Sequence, residues 1–291
     1  MKYLFCTDGS DNSFSALEGA CGFFKKNSIV DIFYIVKDKN TLIKLNNDDY
    51  KGCLECENFK QIKKKSEKII EKHAYSLGEI FVECCDFKKI IEHVNKDFYN
   101  MLILGSHNYK GIRNKFFSFS RKIALKSPCP VFIYHGNENV SFSKKNKKIL
   151  LCVDDSFATL NAVIYFMKNI NIKSHIILLT VVKQFSSEWL ENCLNDIQIQ
   201  ELSEREIALL DDNMCGIEKI LCHNKINVKS KIHLRGNPSE EILNFVKKDF
   251  DLIVLGSHAK GGLVDFVFGS VSKEIIDYID IPVLIVPTKT S

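Results

Sequence analysis

Three short clusters in the second half of this chain have the residue types to hold a phosphorylated ligand: Asp154-Asp155-Ser156, Gly256-Ser257-His258 and Gly269-Ser270. Gly256 and Gly269 would let the main chain approach a ligand with no Cβ in the way. Gly269-Ser270 stands where an apolar-periodic segment begins. The N–H groups of a helix start, with the Ser270 hydroxyl, suit a phosphate. Asp154, facing them from the end of an apolar run, is placed to accept a hydrogen bond from a ribose hydroxyl. His258 reads either as an ordinary loop residue or as a neighbour of the phosphate. Turn and helix-cap chemistry is the plainer account of the same residues, since Gly after a strand and Gly-Ser before a helix recur for that reason alone.

For catalysis the sequence offers little. It contains no Gly-x-Ser-x-Gly elbow, no Gly-x4-Gly-Lys phosphate loop and no pair of metal ligands spaced along a helix. Cys53 and Cys56 form a CxxC without a second pair to complete a zinc site, so an incidental pair or a redox-responsive dithiol are the two readings. Trp189 reads as a packing residue.

The elements that must position these residues come in duplicate. The run from Met101, with Gly105-Ser106-His107, a helix-length segment, Pro130 and a second apolar run, returns from Leu252 with Gly256-Ser257-His258, Pro282 and another apolar run. The starts match too, with an apolar run ending in Asp8 or Asp154, then Ser10 or Ser156, then an amphipathic stretch. Short, nearly all-apolar runs alternate with helical periodicity, as strands covered on both faces do. Strands are expected at Tyr3–Cys6, Asp31–Val36, Ile80–Glu83, Met101–Leu104 and Val131–Tyr134. In the second half they fall at Ile149–Val153, Ser174–Val182, Val228–Leu234, Leu252–Leu255 and Val283–Val286, with a long helical region over about 187–225. The fold class is α/β: two tandem doubly wound parallel-sheet domains of Rossmann-like type, over residues 1–137 and 147–291. The polar stretch His135 to Lys148 reads as the linker, Lys144–Lys148 as its solvated end, and Lys63–Lys65 as a solvated helix face. In such sheets ligands sit beyond the carboxyl ends of the strands, where the clusters above fall.

With these residues in hand the chain resembles the universal stress protein family, whose ATP-binding members carry Gly-x2-Gly-x9-Gly-Ser/Thr after the fourth strand. Gly256-Ser257-His258-Ala259, nine residues, then Gly269-Ser270 is similar to it. So are Asp154 with Ser156, Gly236 with Pro238, and Pro282-Val283. The resemblance covers nearly the whole chain. It implies a stress-response protein that binds adenine nucleotide, with ATP, alone or with Mg²⁺, as the cofactor. Asp154 and Val181 would contact adenosine, and Leu255, Gly256, Ala259, Gly269, Ser270 and Val271 would line the phosphate loop. Two departures matter. Ala259 stands for the motif's second glycine, and a Cβ at a positive φ would weaken binding about tenfold. In the first half Phe117-Ser118 replaces Gly-Ser and Cys85-Asp86-Phe87 replaces Gly-x-Pro, so that half is expected to be an empty pseudo-site. Family members pair through their last strands, which implies an intrachain pseudo-dimer of the two halves and leaves a homodimer of chains open.

Composition narrows the classes further. Hydrophobic residues make up 45% and charged residues 26% of the 291 residues, as in a globular protein that buries a core. The net charge of +4 is too mild to make nucleic acid the main partner. No apolar run reaches the length of a membrane span, Asp8 interrupts any leader-like start, and the 11 cysteines read as reduced thiols, so a cytoplasmic location is expected. The leading expectation is a nucleotide-binding regulatory protein with ATP hydrolysis slow at most. The alternative is a non-catalytic interaction scaffold with both sites degenerate.

Overall fold

The computed structural model describes residues 1–36, 39–46, 54–84, 86–106, 119–134, 146–170, 174–182, 196–247, 250–257 and 269–288. The first half carries β1 (Lys2–Thr7), α1 (Asp11–Phe23), β2 (Ile29–Val36), α2 (Lys39–Asn46), α3 (Leu54–Lys72), β3 (Ser76–Cys84), α4 (Phe87–Lys96), β4 (Met101–Gly105), α5 (Phe119–Ala124) and β5 (Val131–Tyr134). The second carries β6 (Lys147–Cys152), α6 (Phe157–Asn169), β7 (Ser174–Val182), α7 (Asp196–His223), β8 (Val228–Arg235), α8 (Pro238–Val246), β9 (Leu252–Ser257), α9 (Ser270–Tyr278) and β10 (Val283–Pro287).

Every expected strand is present, and the sheet order is β3-β2-β1-β4-β5-β10-β9-β6-β7-β8. Each half is parallel throughout, and the halves meet at an antiparallel β5–β10 pairing in which Val283 faces Ile133 and Ile285 faces Val131. Helices cover both faces, so the sheet buries one core on each side. Phe5, Leu17 and Phe166 belong to one, and Leu4, Ile253 and Ile285 to the other. Beyond the strand seam, Phe24 bridges Ile170, Tyr165 donates to the Asn100 carbonyl at 2.9 Å, and Arg121 pairs with Asp277 at 2.6 Å.

Two expectations are corrected. Lys147 and Lys148 are not part of a solvated linker but open β6, and Lys147 is 1% exposed. Its ammonium lies 5.3 Å from the Phe23 ring centroid. A lysine stem buries readily along apolar surface, which charge alone does not reveal. β3 begins at Ser76 and not at Ile80, because an edge strand needs no apolar face on every residue. The other edge, β8, carries Lys229, Lys231, His233 and Arg235, charges that discourage edge-to-edge association.

At the amino ends of the first-half strands sits a charged cluster that sequence periodicity did not flag. Asp31, 1% exposed, pairs with Lys2 at 2.9 Å and accepts from the Tyr99 hydroxyl at 2.8 Å and the Glu79 N–H at 3.0 Å. His93 Nε2 lies 2.9 Å from the Tyr99 oxygen. Burial lowers the His93 pKa below its ordinary value against the pull of Asp97, Asp31 and Glu79, with Lys2 adding to the depression. A histidine held neutral by the fold contributes stability above the unfolded pKa of about 6.5 and loses it as pH falls, because the unfolded chain takes the proton first. The thermal midpoint is therefore expected to fall between about pH 7.5 and about pH 5.5 more steeply in the native protein than in His93→Gln. Parallel pH profiles for the two would refute this.

Candidate functional site

Strands β6 and β9 are neighbours, and the chain leaves β6 toward β7 on one side and β9 toward β10 on the other. Their carboxyl ends therefore flank the topological switch point, where a doubly wound sheet opens a crevice. Asp154 lies two residues beyond β6, Val181 near the end of β7, and Leu255 and Gly256 at the end of β9. The fold thus brings four of the expected residues to one end of the second-half sheet.

Asp154 is held there by local chemistry. Its Oδ1 accepts from the Ser156 N–H at 3.0 Å, from the Ser156 hydroxyl and from the Thr159 hydroxyl, while its own N–H donates to Thr159 Oγ1 at 3.2 Å. Ser156 in turn caps α6 by accepting from the Thr159 N–H. All of these acceptor bonds fall on Oδ1, and Asp154 is exposed, so Oδ2 has no hydrogen-bond partner among the described residues. Thr159 was not among the expected site residues. The signal for it is a hydroxyl residue five positions after the aspartate in both repeats, Thr159 and Ser13.

The two glycines differ in kind. A Cβ on Gly256 would sit 2.4 Å from the Ala158 carbonyl carbon and 2.7 Å from the Thr159 nitrogen. Gly105 stands against the Ser13 and Asn12 backbone in the same way. Close passage of the fourth strand under the first helix is what demands this glycine in each half. Gly269 has no described atom within 4 Å of a Cβ built on it, has a φ of −60°, and acts as the N-cap of α9 with no side-chain cap bond. α1, α4, α6 and α8 are all capped by a side chain, from Ser10, Asp86, Ser156 and Asn237. Among the described residues the first N–H groups of α9 have no side-chain acceptor. Ser272 ties this helix start to β9 by donating to the Gly256 carbonyl at 3.3 Å. Ser270 is exposed and Val271 partly so. The Gly236-x-Pro238 element is turn and cap chemistry: Gly236 has φ +141°, and Asn237 caps α8 with Pro238 in its first turn.

His258, Ala259, Gly261 and Gly262 lie outside the described residues, as do His107, Asn108, Phe117, Ser118, Cys53, Cys85 and Trp189.

In the first half a cavity of about 340 Å³ opens at the carboxyl ends of β1 and β2, a size small molecules can fill. Asp8, Gly9, Phe14, Tyr34, Val36 and Lys65 are among its walls. Among the described residues Lys65 is its one lining cation, and it is already engaged: it pairs with Asp11 at 2.8 Å and lies 4.1 Å from the Phe14 ring centroid. The pairing lowers the Asp11 pKa. The helix beyond the fourth strand, α5, has only 6 residues.

A chain built as two doubly wound α/β units joined edge to edge has the architecture in which ligands sit beyond the strand ends. Comparison with known proteins narrows this. A profile of the universal stress protein family matches residues 1–135 and again 145–287. The chain belongs to the universal stress protein family, as a tandem of two such domains. Universal stress protein MJ0577 from Methanocaldococcus jannaschii is 39% identical over 92 residues, spanning 31% of this chain and 56% of that protein. The match thus spans little more than half the length of that curated relative. Among solved structures, a universal stress protein from Archaeoglobus fulgidus DSM 4304 superposes with a TM-score of 0.66 at 19% identity, covering 98% of both chains. One from Pseudomonas aeruginosa UCBPP-PA14 gives 0.59 at 12% identity, covering 99% of this chain and 93% of its own. At those identities the likeness concerns the fold. No helix among the described residues is long and apolar enough to cross a membrane.

Proposed function

We propose that this chain is an adenine-nucleotide-binding regulatory protein whose one working site lies in the second half and takes ATP. The observation that carries the reading is the start of α9. Among the described residues it has no side-chain cap and no neighbour against Gly269, and it is anchored to the strand end near Asp154. A phosphate there would accept from the first N–H groups of the helix and gain from its dipole. The ribose would meet Asp154 Oδ2, and Val181 and Leu255 would give the base an apolar seat. His258 and Ala259 complete the site by family position. Oxygens of the phosphates would also carry any Mg²⁺, and no cluster of three or more His, Cys, Asp or Glu among the described residues could hold a metal by itself. Among the described residues of the site no side chain is poised as a base, in keeping with a nucleotide that serves as a bound signal. Among the described residues the first-half cavity has Lys65 as its lining cation, already paired with Asp11, which supports leaving ATP to the second half.

Calorimetric titration of the whole chain tests this. Gly269→Arg keeps an allowed backbone and meets no neighbour among the described residues, so it should fold while placing a side chain over the helix start. ATP affinity is expected to drop about 100-fold in that variant. Equal affinity for both proteins would remove the site from α9. Absence of binding in the native protein would favour the scaffold reading.

A further inference from the structure

Where α7 lies against the edge strand β8, a thiol, an amine and a carboxylate meet. Lys231 Nζ is 3.0 Å from Cys215 Sγ and 3.1 Å from Glu218 Oε2. Cys215 and Glu218 are three apart on one helix face, and buried Met214 and Ile217 beside them fix that helix on the sheet. The cluster is still reachable from solvent. The Lys231 and Glu218 side chains are 28% and 35% exposed, Cys215 is half-buried, and nothing stands within 4 Å of the space beside Gly216.

No other described cysteine has an ammonium at hydrogen-bond distance; Cys84 is half-buried, and the Lys89 ammonium near it is paired with Glu83. Cys6, Cys21, Cys129 and Cys152 are buried, and burial pushes their thiols up, Cys129 to about 11 and Cys21 to about 12. Cys222 is exposed but has no cation at hydrogen-bond distance among the described residues. The thiolate is the form that attacks peroxide, and the Lys231 nitrogen stands within reach of the sulfur that would be oxidised.

We propose that Cys215 and Lys231 form a peroxide-driven covalent cross-link, a sulfenamide that staples α7 to β8. The Cys215 thiolate attacks hydrogen peroxide and the O–O bond breaks. Sulfur is oxidised by two electrons to the sulfenic acid, and the peroxide is reduced, leaving hydroxide. Lys231 then gives a proton to Glu218, and its freed lone pair attacks the sulfur. The S–N bond forms as the S–O bond breaks, and the departing hydroxide takes the proton back from Glu218 as water. The nitrogen loses one further proton to the first hydroxide. Thiolate, ammonium and one peroxide thus become one S–N bond and two waters. Excess thiol reverses the link by the usual exchange at sulfur. This inference stands on the α7–β8 contact alone and does not depend on nucleotide binding.

The test is peroxide treatment of the full chain, non-reducing digestion and mass spectrometry. The expected species joins the peptides holding Cys215 and Lys231, is lighter than their sum by two hydrogen atoms, and disappears on adding dithiothreitol. Cys215 should react about tenfold faster than Cys222. Lys231→Arg keeps the positive charge but removes the nucleophile. In that variant a dimedone-type probe should capture sulfenic acid at Cys215, with no link formed. Thermal melting of Cys215→Ser and Lys231→Arg confirms that both fold, since neither side chain is part of a core. Native protein that accumulates sulfenic or sulfinic acid at Cys215 with no link would overturn the proposal. So would oxidation of Cys222 ahead of Cys215.

Discussion

Gly256→Ala is expected to destabilise the second half by about 3 kcal/mol or more, lowering its thermal midpoint by about 10 °C. The physical reason is the absence of anything soft at the contact. The added methyl would meet the carbonyl carbon and oxygen of Ala158 and the Thr159 nitrogen, all main-chain atoms and all under 3 Å. A side chain could rotate away, but the first turn of α6 can retreat only by lifting off the sheet. That retreat would also break the Ser156 and Thr159 bonds that hold Asp154, so nucleotide affinity would fall in the same variant for a structural reason. Gly105→Ala should be as damaging in the first half, where Ser13 and Asn12 occupy the same place. Gly269→Ala, by contrast, should melt close to the native protein. Differential scanning calorimetry of the three alanine variants separates the cases, and a native-like midpoint for Gly256→Ala would show that the helix can yield.

Asp31→Ala is expected to cost about 2–4 kcal/mol in the first half, measured by chemical denaturation. Lys2 is not the main reason, because its side chain is 35% exposed and can turn to water. The loss comes from Tyr99 and from the Glu79 N–H, donors left without their acceptor, and from the space opened beside Gly78, whose missing Cβ would lie 2.0 Å from Asp31 Oδ1. The second half shows how to repair it. By register, Leu4 faces Asp31 as Leu150 faces Ile177, and Lys2 lies over Tyr99 as Lys148 lies over Phe250. The double variant Asp31→Ile/Tyr99→Phe therefore copies an arrangement this chain already uses. It should recover more than half of the loss, since replacing a buried polar group together with its partner is far milder than orphaning one of them. A double variant as unstable as the single one would mean that the polar cluster carries more than its own hydrogen bonds.

Much of this architecture could be read from the residues because the strands announce themselves. Runs such as Met101–Leu104 and Val283–Val286 are apolar on both sides, which only a covered parallel sheet requires. What was less legible shares one cause: polar residues whose burial depends on partners far away in sequence. Asp31 looks like an interruption of an apolar run until Lys2, Tyr99 and Glu79 are brought to it by β1, β3 and the turn after α4. Lys147 looks solvated until Phe23, from the other half, lies beside its ammonium. The glycines were legible as constraints but not as to their reason. Gly256 and Gly269 look alike in sequence, and only the position of α6 shows that one answers to packing and the other stands free.

The antiparallel β5–β10 seam has a consequence for how the two halves can change over time. Two identical chains meeting at such a seam would carry every substitution twice, once on each side. Here the two sides are encoded separately, and a tether between them keeps their local concentration high however dilute the protein becomes. One side can therefore hold Phe117 where the other holds Gly269, or Asp31 where the other holds Ile177, without losing its neighbour. Division of labour between the halves is open to this chain in a way it is not to a symmetric pair.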